Sequence, residues 1–139
     1  MTDDRFYRHL VAALNALERE VPGHYSATVE ALGELRIGVD LGDEDLVIRR
    51  VEERIRVFAN APLLDVSAHT ETDHATLLAL LSGEAALLDV LLDERLLLRG
   101  HVSDLVALER VLDRFLQGAV RAPSLSAIQR SYRRAVREI

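Results

Sequence analysis

In Leu35-Arg36-Ile37-Gly38-Val39-Asp40-Leu41, four apolar residues alternate with Arg36, Gly38 and Asp40. That is the two-residue period of a strand with one buried face. Gly42-Asp43-Glu44-Asp45 then reads as a turn. Residues 46–51 and 55–59 are further β-rich runs, separated only by Glu52-Glu53-Arg54, and connections this short make antiparallel neighbours. After Asn60-Ala61-Pro62, a fourth short run places Val66, Ala68 and Thr70 on one side. Three or four strands in succession predict a meander.

On either side of these strands the period is helical. Phe6, Leu10, Ala13, Leu14, Leu17 and Val21 form one stripe, which predicts a helix over residues 4–20 stopped by Val21-Pro22-Gly23. A short second helix is expected over residues 25–32. Beyond the strands, residues 73–82 read as a helix ended by Gly83, with Thr70 or Thr72 as its cap, and residues 84–92 as another. Leu96-Leu97-Leu98 is expected as a buried strand before Gly100. Ser103 is expected to cap a helix to about residue 118, with Leu105, Leu108, Leu112, Phe115 and Leu116 on its apolar stripe. Ala122-Pro123 breaks the chain before a last helix over residues 124–138. Helices flanking a run of strands define the class as α+β.

Composition narrows the function. The chain has 139 residues, 17 basic against 23 acidic, a net charge of −6, 49 % apolar residues and no cysteine. One domain of this length builds a real core without staples. Disulfides, thiolate metal sites and cysteine nucleophiles are excluded. The acidic balance argues against a general nucleic-acid binder. Met1-Thr2-Asp3-Asp4 is acidic where a secretory leader is basic, so a cytoplasmic location is expected. Every basic residue is arginine, which reads as the codon bias of a GC-rich bacterial genome.

Two segments are unusual. Residues 84–92 are apolar nearly all round, so that helix is expected to be buried on most sides or to line an apolar cavity. Asp89 and Asp93 interrupt the run too early for a membrane span. At the C-terminus, Arg130, Arg133, Arg134 and Arg137 share a narrow stripe opposite Leu125, Ile128, Tyr132, Ala135, Val136 and Ile139. A basic amphipathic helix of this kind suits an anionic membrane surface or an acidic partner, or simply a solvated face favoured by the helix dipole.

Sites for chemistry are sparse. His69 and His74, with Asp65 or Asp73, are the nearest approach to a zinc set, but the spacing matches no metal motif and no metal is expected. There is no phosphate loop, nucleophile elbow or triad context, and no cofactor is expected. Arg49-Arg50 suits a carboxylate or phosphate group if it is not an ordinary solvated pair.

Three stretches, Asp65-Val66-Ser67-Ala68, then residues 77–84 ending Ser82-Gly83-Glu84, then Arg95-Leu96-Leu97-Leu98-Arg99-Gly100, resemble the sterol carrier protein 2 family of small lipid-binding domains. The resemblance runs from about residue 35 to 116. The chain departs from the family pattern at Leu64, where a small residue is usual, and at Glu52-Glu53 and Asp93-Glu94, where a turn glycine is usual. The resemblance implies one domain with N-terminal helices at residues 4–33. A twisted, mainly antiparallel five-stranded sheet and leucine-rich helices would follow at 35–118, then the C-terminal helix. It also implies an apolar tunnel for a fatty acyl, sterol-like or isoprenoid ligand. Carried over by position, its lining would be Leu77, Leu80, Leu81, Leu88, Leu91 and Leu92, joined by Leu98, Leu105, Leu108 and Leu112.

The expected function is therefore non-catalytic binding or carriage of an apolar lipid, with Arg130, Arg133, Arg134 and Arg137 docking the domain at a membrane or partner. One alternative is a small isomerase or cyclase acting on a polyketide or terpenoid, with Asp65, His69 or Asp89 as acid or base. Another is an accessory protein that presents an apolar intermediate to biosynthetic partners.

Overall fold

The computed structural model describes residues 4–63 and 65–137. Leu64, the acidic Met1-Thr2-Asp3 opening, and Glu138 and Ile139 of the expected C-terminal helix lie outside the described residues.

The first helix, α1 (Arg5–Glu20), buries Phe6, Leu10, Leu14 and Leu17 along the expected stripe. Pro22 does more than end it. Proline stands in the first turn of α2 (Pro22–Leu32), where its missing amide costs nothing, so the second helix begins three residues before the expected start. Three strands follow: β1 (Ile37–Asp40), β2 (Asp45–Val51) and β3 (Arg54–Ala59). They pair antiparallel in order, with Ile37 opposite Ile48 and Ile48 opposite Val57.

Here the expected meander fails. The fourth strand, β4 (Ala68–Glu71), does not continue beyond β3 but returns to lie parallel to β1, Val39 opposite Thr70. The connection crosses the outer face of the sheet, where Val66 and Leu63 crowd Gly38 so closely that a Cβ there would sit 3.0 Å from Val66. It is pinned by the Ser67 and Ala68 amides, which both donate to the Arg36 carbonyl, at 2.8 and 3.1 Å. The sheet order is β3-β2-β1-β4-β5, mixed but mainly antiparallel.

Between the last two strands lie α3 (His74–Leu81) and α4 (Leu87–Leu92). Neither threonine caps α3; the Asp73 carboxylate does, accepting from the Thr76 amide at 2.8 Å. Thr70 instead donates to the Gly38 carbonyl and Thr72 to the Arg95 carbonyl. The α4 helix is shorter than expected and only one side of it is covered: Leu87 and Val90 are buried, while Leu88 is 64 % and Leu92 72 % exposed. The final strand, β5 (Leu97–Arg99), is an edge strand, so Leu97 is exposed and Leu96, just before it, takes the buried position. Gly100 then lets the chain pass Ser67, whose carbonyl oxygen would lie 2.6 Å from any Cβ. The fifth helix, α5 (Val102–Ala119), starts after His101 without a side-chain cap, so Ser103 already lies inside it. The last helix, α6 (Leu125–Arg137), packs on α1 and α3.

The helices cover one face of the sheet. Ile37, Val39, Leu46, Ile55 and Ala68 point into that layer and join Leu10, Leu17, Leu32, Leu77 and Phe115 in the main core. A smaller cluster of Leu80, Leu87, Val90 and Leu96 sits at the α4 end.

Candidate functional site

Between sheet and helices lies an apolar cavity of about 130 Å³. Every layer contributes to it: Phe6, Leu10 and Leu14 from α1, Ile37, Ile48 and Ile55 from the strands, and Leu77, Leu80 and Leu81 from α3. Leu87, Leu96, Leu108, Val111, Leu112 and Phe115 close the remaining sides. Two threonines border it, and both hydroxyls are already used. Thr28 donates to the His24 carbonyl at 2.8 Å and Thr70 to the Gly38 carbonyl at 2.7 Å, so each presents its methyl group. No ionisable side chain lines the cavity among the described residues. Such a space holds hydrocarbon more readily than water, which needs two to four polar partners.

A polar knot at the N-terminus of α1 holds α6 over this layer. The buried Glu44 carboxylate accepts the Phe6 and Tyr7 amides, at 2.9 and 3.1 Å, the place where a helix favours negative charge. Arg5 bridges Asp43 at 2.8 Å and the Ala135 carbonyl of α6 at 3.0 Å. His74 Nε2 lies 3.0 Å from Asp43, and His74 Nδ1 2.7 Å from the Tyr132 hydroxyl. With Nε2 donating to the carboxylate, Nδ1 accepts a hydrogen bond from the phenol. Burial, and then the nearby Glu44 carboxylate, push the Tyr132 phenol well above the usual tyrosine range, which keeps its proton on it. Asp43, Glu44 and His74 bring oxygen and nitrogen atoms within 4.8 Å of one another. They are hydrogen-bonded to Arg5, the α1 amides and Tyr132, so the set reads as a tether.

No sequence-family profile matches the chain, and no curated protein matches it in sequence. Solved structures do match in shape. A ubiquinone synthesis protein titled UbiJ-SCP2 superposes with a TM-score of 0.62 at 13 % identity, covering 78 % of this chain and 87 % of that one. Sterol carrier protein 2 from Yarrowia lipolytica, in its apo form, gives 0.52 at 13 % identity over 74 % of this chain and 88 % of that one. A Thermus thermophilus protein described as possibly a sterol carrier protein gives 0.52 at 19 % identity, over 82 % and 90 % of the two chains. The fold is that of the sterol carrier protein 2 domains.

Within this SCP-2-like fold the ten leucines expected to line a tunnel divide evenly. Leu77, Leu80, Leu81, Leu108 and Leu112 border the cavity. Leu88, Leu91, Leu92, Leu98 and Leu105 are not among its walls. For Leu88 and Leu92 the cause is the brevity of α4, whose six residues turn Leu87, Val90 and, in part, Leu91 inward. The α1 stripe and the inward strand positions Ile37, Val39, Ile48 and Ile55 line the cavity too. Their alternation was visible in the sequence, but it marks core and cavity wall alike.

The expected acid–base candidates lie away from the cavity. Asp65 is exposed in the connection to β4, and His69 sits on the outer sheet face with a buried Nδ1 that has no hydrogen-bond partner among the described residues. Asp89 is exposed on α4. On α6, Arg133 pairs with Glu84 at 2.9 Å, whereas Arg130, Arg134 and Arg137 are exposed. Among the described residues, no helix is long and apolar enough to cross a membrane.

Proposed function

We propose that the chain binds an apolar lipid, a fatty acyl, sterol-like or isoprenoid chain, in the cavity between sheet and helices. The observation that carries this is the chemistry of the lining, in which both hydroxyls donate to backbone carbonyls and no ionisable group is present among the described residues. Sterol carrier protein 2 among the structural neighbours supports it. At 130 Å³ the space takes a short apolar segment, whereas pockets for whole small molecules run roughly 300–1,000 Å³. A longer chain therefore enters by widening the cavity at its α4 end, where the core cluster is small and Leu88, Leu92 and Leu97 already face outward.

Carriage is favoured over catalysis because Asp65, His69 and Asp89 all stand apart from the lining. Likeness to a ubiquinone synthesis protein favours a particular version, in which the cargo is a biosynthetic intermediate presented to partner enzymes. In either version the exposed Arg130, Arg134 and Arg137 offer a basic edge for docking at a membrane or partner.

Native mass spectrometry of freshly purified protein, followed by solvent extraction, tests the proposal. A discrete adduct of lipid mass is expected. An apo mass that stays unchanged after incubation with fatty acid, sterol and isoprenoid alcohol overturns it.

A further inference from the structure

The sheet's outer face, which the helices leave uncovered, carries a row of arginines. Arg49 and Arg56 are direct cross-strand partners. Arg36 immediately precedes Ile37, whose partner Ile48 immediately precedes Arg49, so it extends the row onto the next strand. Three arginines therefore stand side by side, about 5 Å apart at the backbone. Strand alternation turns them outward, because Ile37, Ile48, Ile55 and Val57 between them pack into the core.

None of the three makes an ion pair or a side-chain hydrogen bond among the described residues. The other two arginines of the same hairpin do: Arg50 pairs with Glu34 at 3.1 Å and Arg54 with Glu18 at 2.8 Å. Like charges placed directly opposite on paired strands cost stability. In a chain with 23 acidic residues and a net charge of −6, leaving this row uncompensated is conspicuous.

The row also borders a groove. Arg36 and Arg49 line an open depression of about 300 Å³ whose other walls include Val47, Phe58, Pro62 and Val66. The Arg49 guanidinium lies 5.0 Å from the centre of the Phe58 ring, a cation–π contact that leaves its N–H groups free to donate. Asp65 borders the groove as well, but pairs with neither arginine.

We infer that this face binds a phosphate-bearing anion, independently of the interior cavity. Arg49 supplies the central bidentate contact, Arg36 and Arg56 flank it, and the apolar walls receive whatever adjoins the phosphate. A free phosphate ester and a phospholipid head group share this chemistry.

The test uses the full chain at low salt with two probes. Inorganic pyrophosphate is titrated while backbone amides are followed by NMR. Flotation with phosphatidylcholine vesicles, with and without an equimolar share of phosphatidylglycerol, forms the second arm. Binding of either probe is expected, with shifts centred on β1, β2 and β3. Arg49→Ala is expected to weaken it about tenfold, since a charge-assisted bidentate contact is worth that much. Arg49→Lys, which keeps the charge but loses the fork, should weaken it several-fold, while Arg110→Ala, which removes an exposed arginine of α5, should leave it intact. Pyrophosphate binding alone assigns the site to a soluble phosphate, and Arg49-dependent flotation on the anionic vesicles to a lipid head group. Absence of binding to both probes overturns the inference, as does an Arg110→Ala variant that loses as much affinity as Arg49→Ala.

Discussion

Filling the cavity should make the protein more stable and less able to bind lipid at the same time. An unfilled dry cavity costs about 24 cal/mol per Å³, so 130 Å³ withholds about 3 kcal/mol from the unliganded fold. Val111 is half-buried on α5 and borders the space. Val111→Phe occupies roughly half of it and should return about 1.5 kcal/mol, which for a domain of this size raises the thermal midpoint by about 5 °C. Leu108→Phe approaches the same space one turn earlier and should act in the same direction. The assays are thermal unfolding of solvent-extracted protein and displacement of a fluorescent fatty acid. The expected pair of results is a higher midpoint and lost displacement, the trade of stability against function that a binding cavity imposes. A loss of stability in both variants would show that no void exists to fill. Undiminished fatty-acid binding in a stabilised variant would place the ligand elsewhere.

Three further outcomes follow from the geometry. Tyr132→Phe strands the buried His74 Nδ1, which should cost roughly 2 kcal/mol and lower the thermal midpoint by about 7 °C; an unchanged midpoint would mean that the tether carries no weight. Glu52 and Glu94 have φ of 58° and 60°, the left-handed region that glycine enters freely, so Glu52→Gly and Glu94→Gly should each stabilise by about 0.5–1 kcal/mol in denaturant titrations, and destabilisation would contradict this. The Glu20 carboxylate accepts from the Ser124 hydroxyl and amide, hydrogen bonds that hold its pKa below the usual carboxylate range. Its folded pKa is the lower one, so its contribution is present above the unfolded pKa and lost as pH falls through the folded value. Glu20→Gln should therefore lower the thermal midpoint near neutral pH and match the wild type in acid; a pH-independent difference would assign the effect to packing.

Much of this architecture was legible before any coordinates. Alternation at Leu35–Leu41 and the Phe6–Leu17 stripe report burial directly, because one face of each element is buried. Strand order was not legible, since nothing local to Ala68–Glu71 says which neighbour it pairs with. That choice is made by the crossing segment, where Gly38 leaves room for Val66 and the Arg36 carbonyl takes two amides. The α4 leucines misled for a related reason: composition shows how apolar a helix is, not how much of its circumference other elements cover. Two departures from the family pattern proved informative. Glu52 and Glu94 stand where a glycine is usual, and both have the positive φ that glycine would accommodate. For the cavity, sequence marked which residues face inward but not where their packing stops short. The arginine row needed register, because Arg36, Arg49 and Arg56 become neighbours only once β1, β2 and β3 are aligned.

The two threonines at the cavity wall set a limit on discrimination. With the Thr28 and Thr70 hydroxyl protons both given to backbone carbonyls, the cavity offers a ligand no free donor to read among the described residues. Selection inside can then rest only on length, girth and branching. Chains of one calibre should compete as equals whatever their head groups, and any preference among them must be exercised at the surface, before the tail goes in.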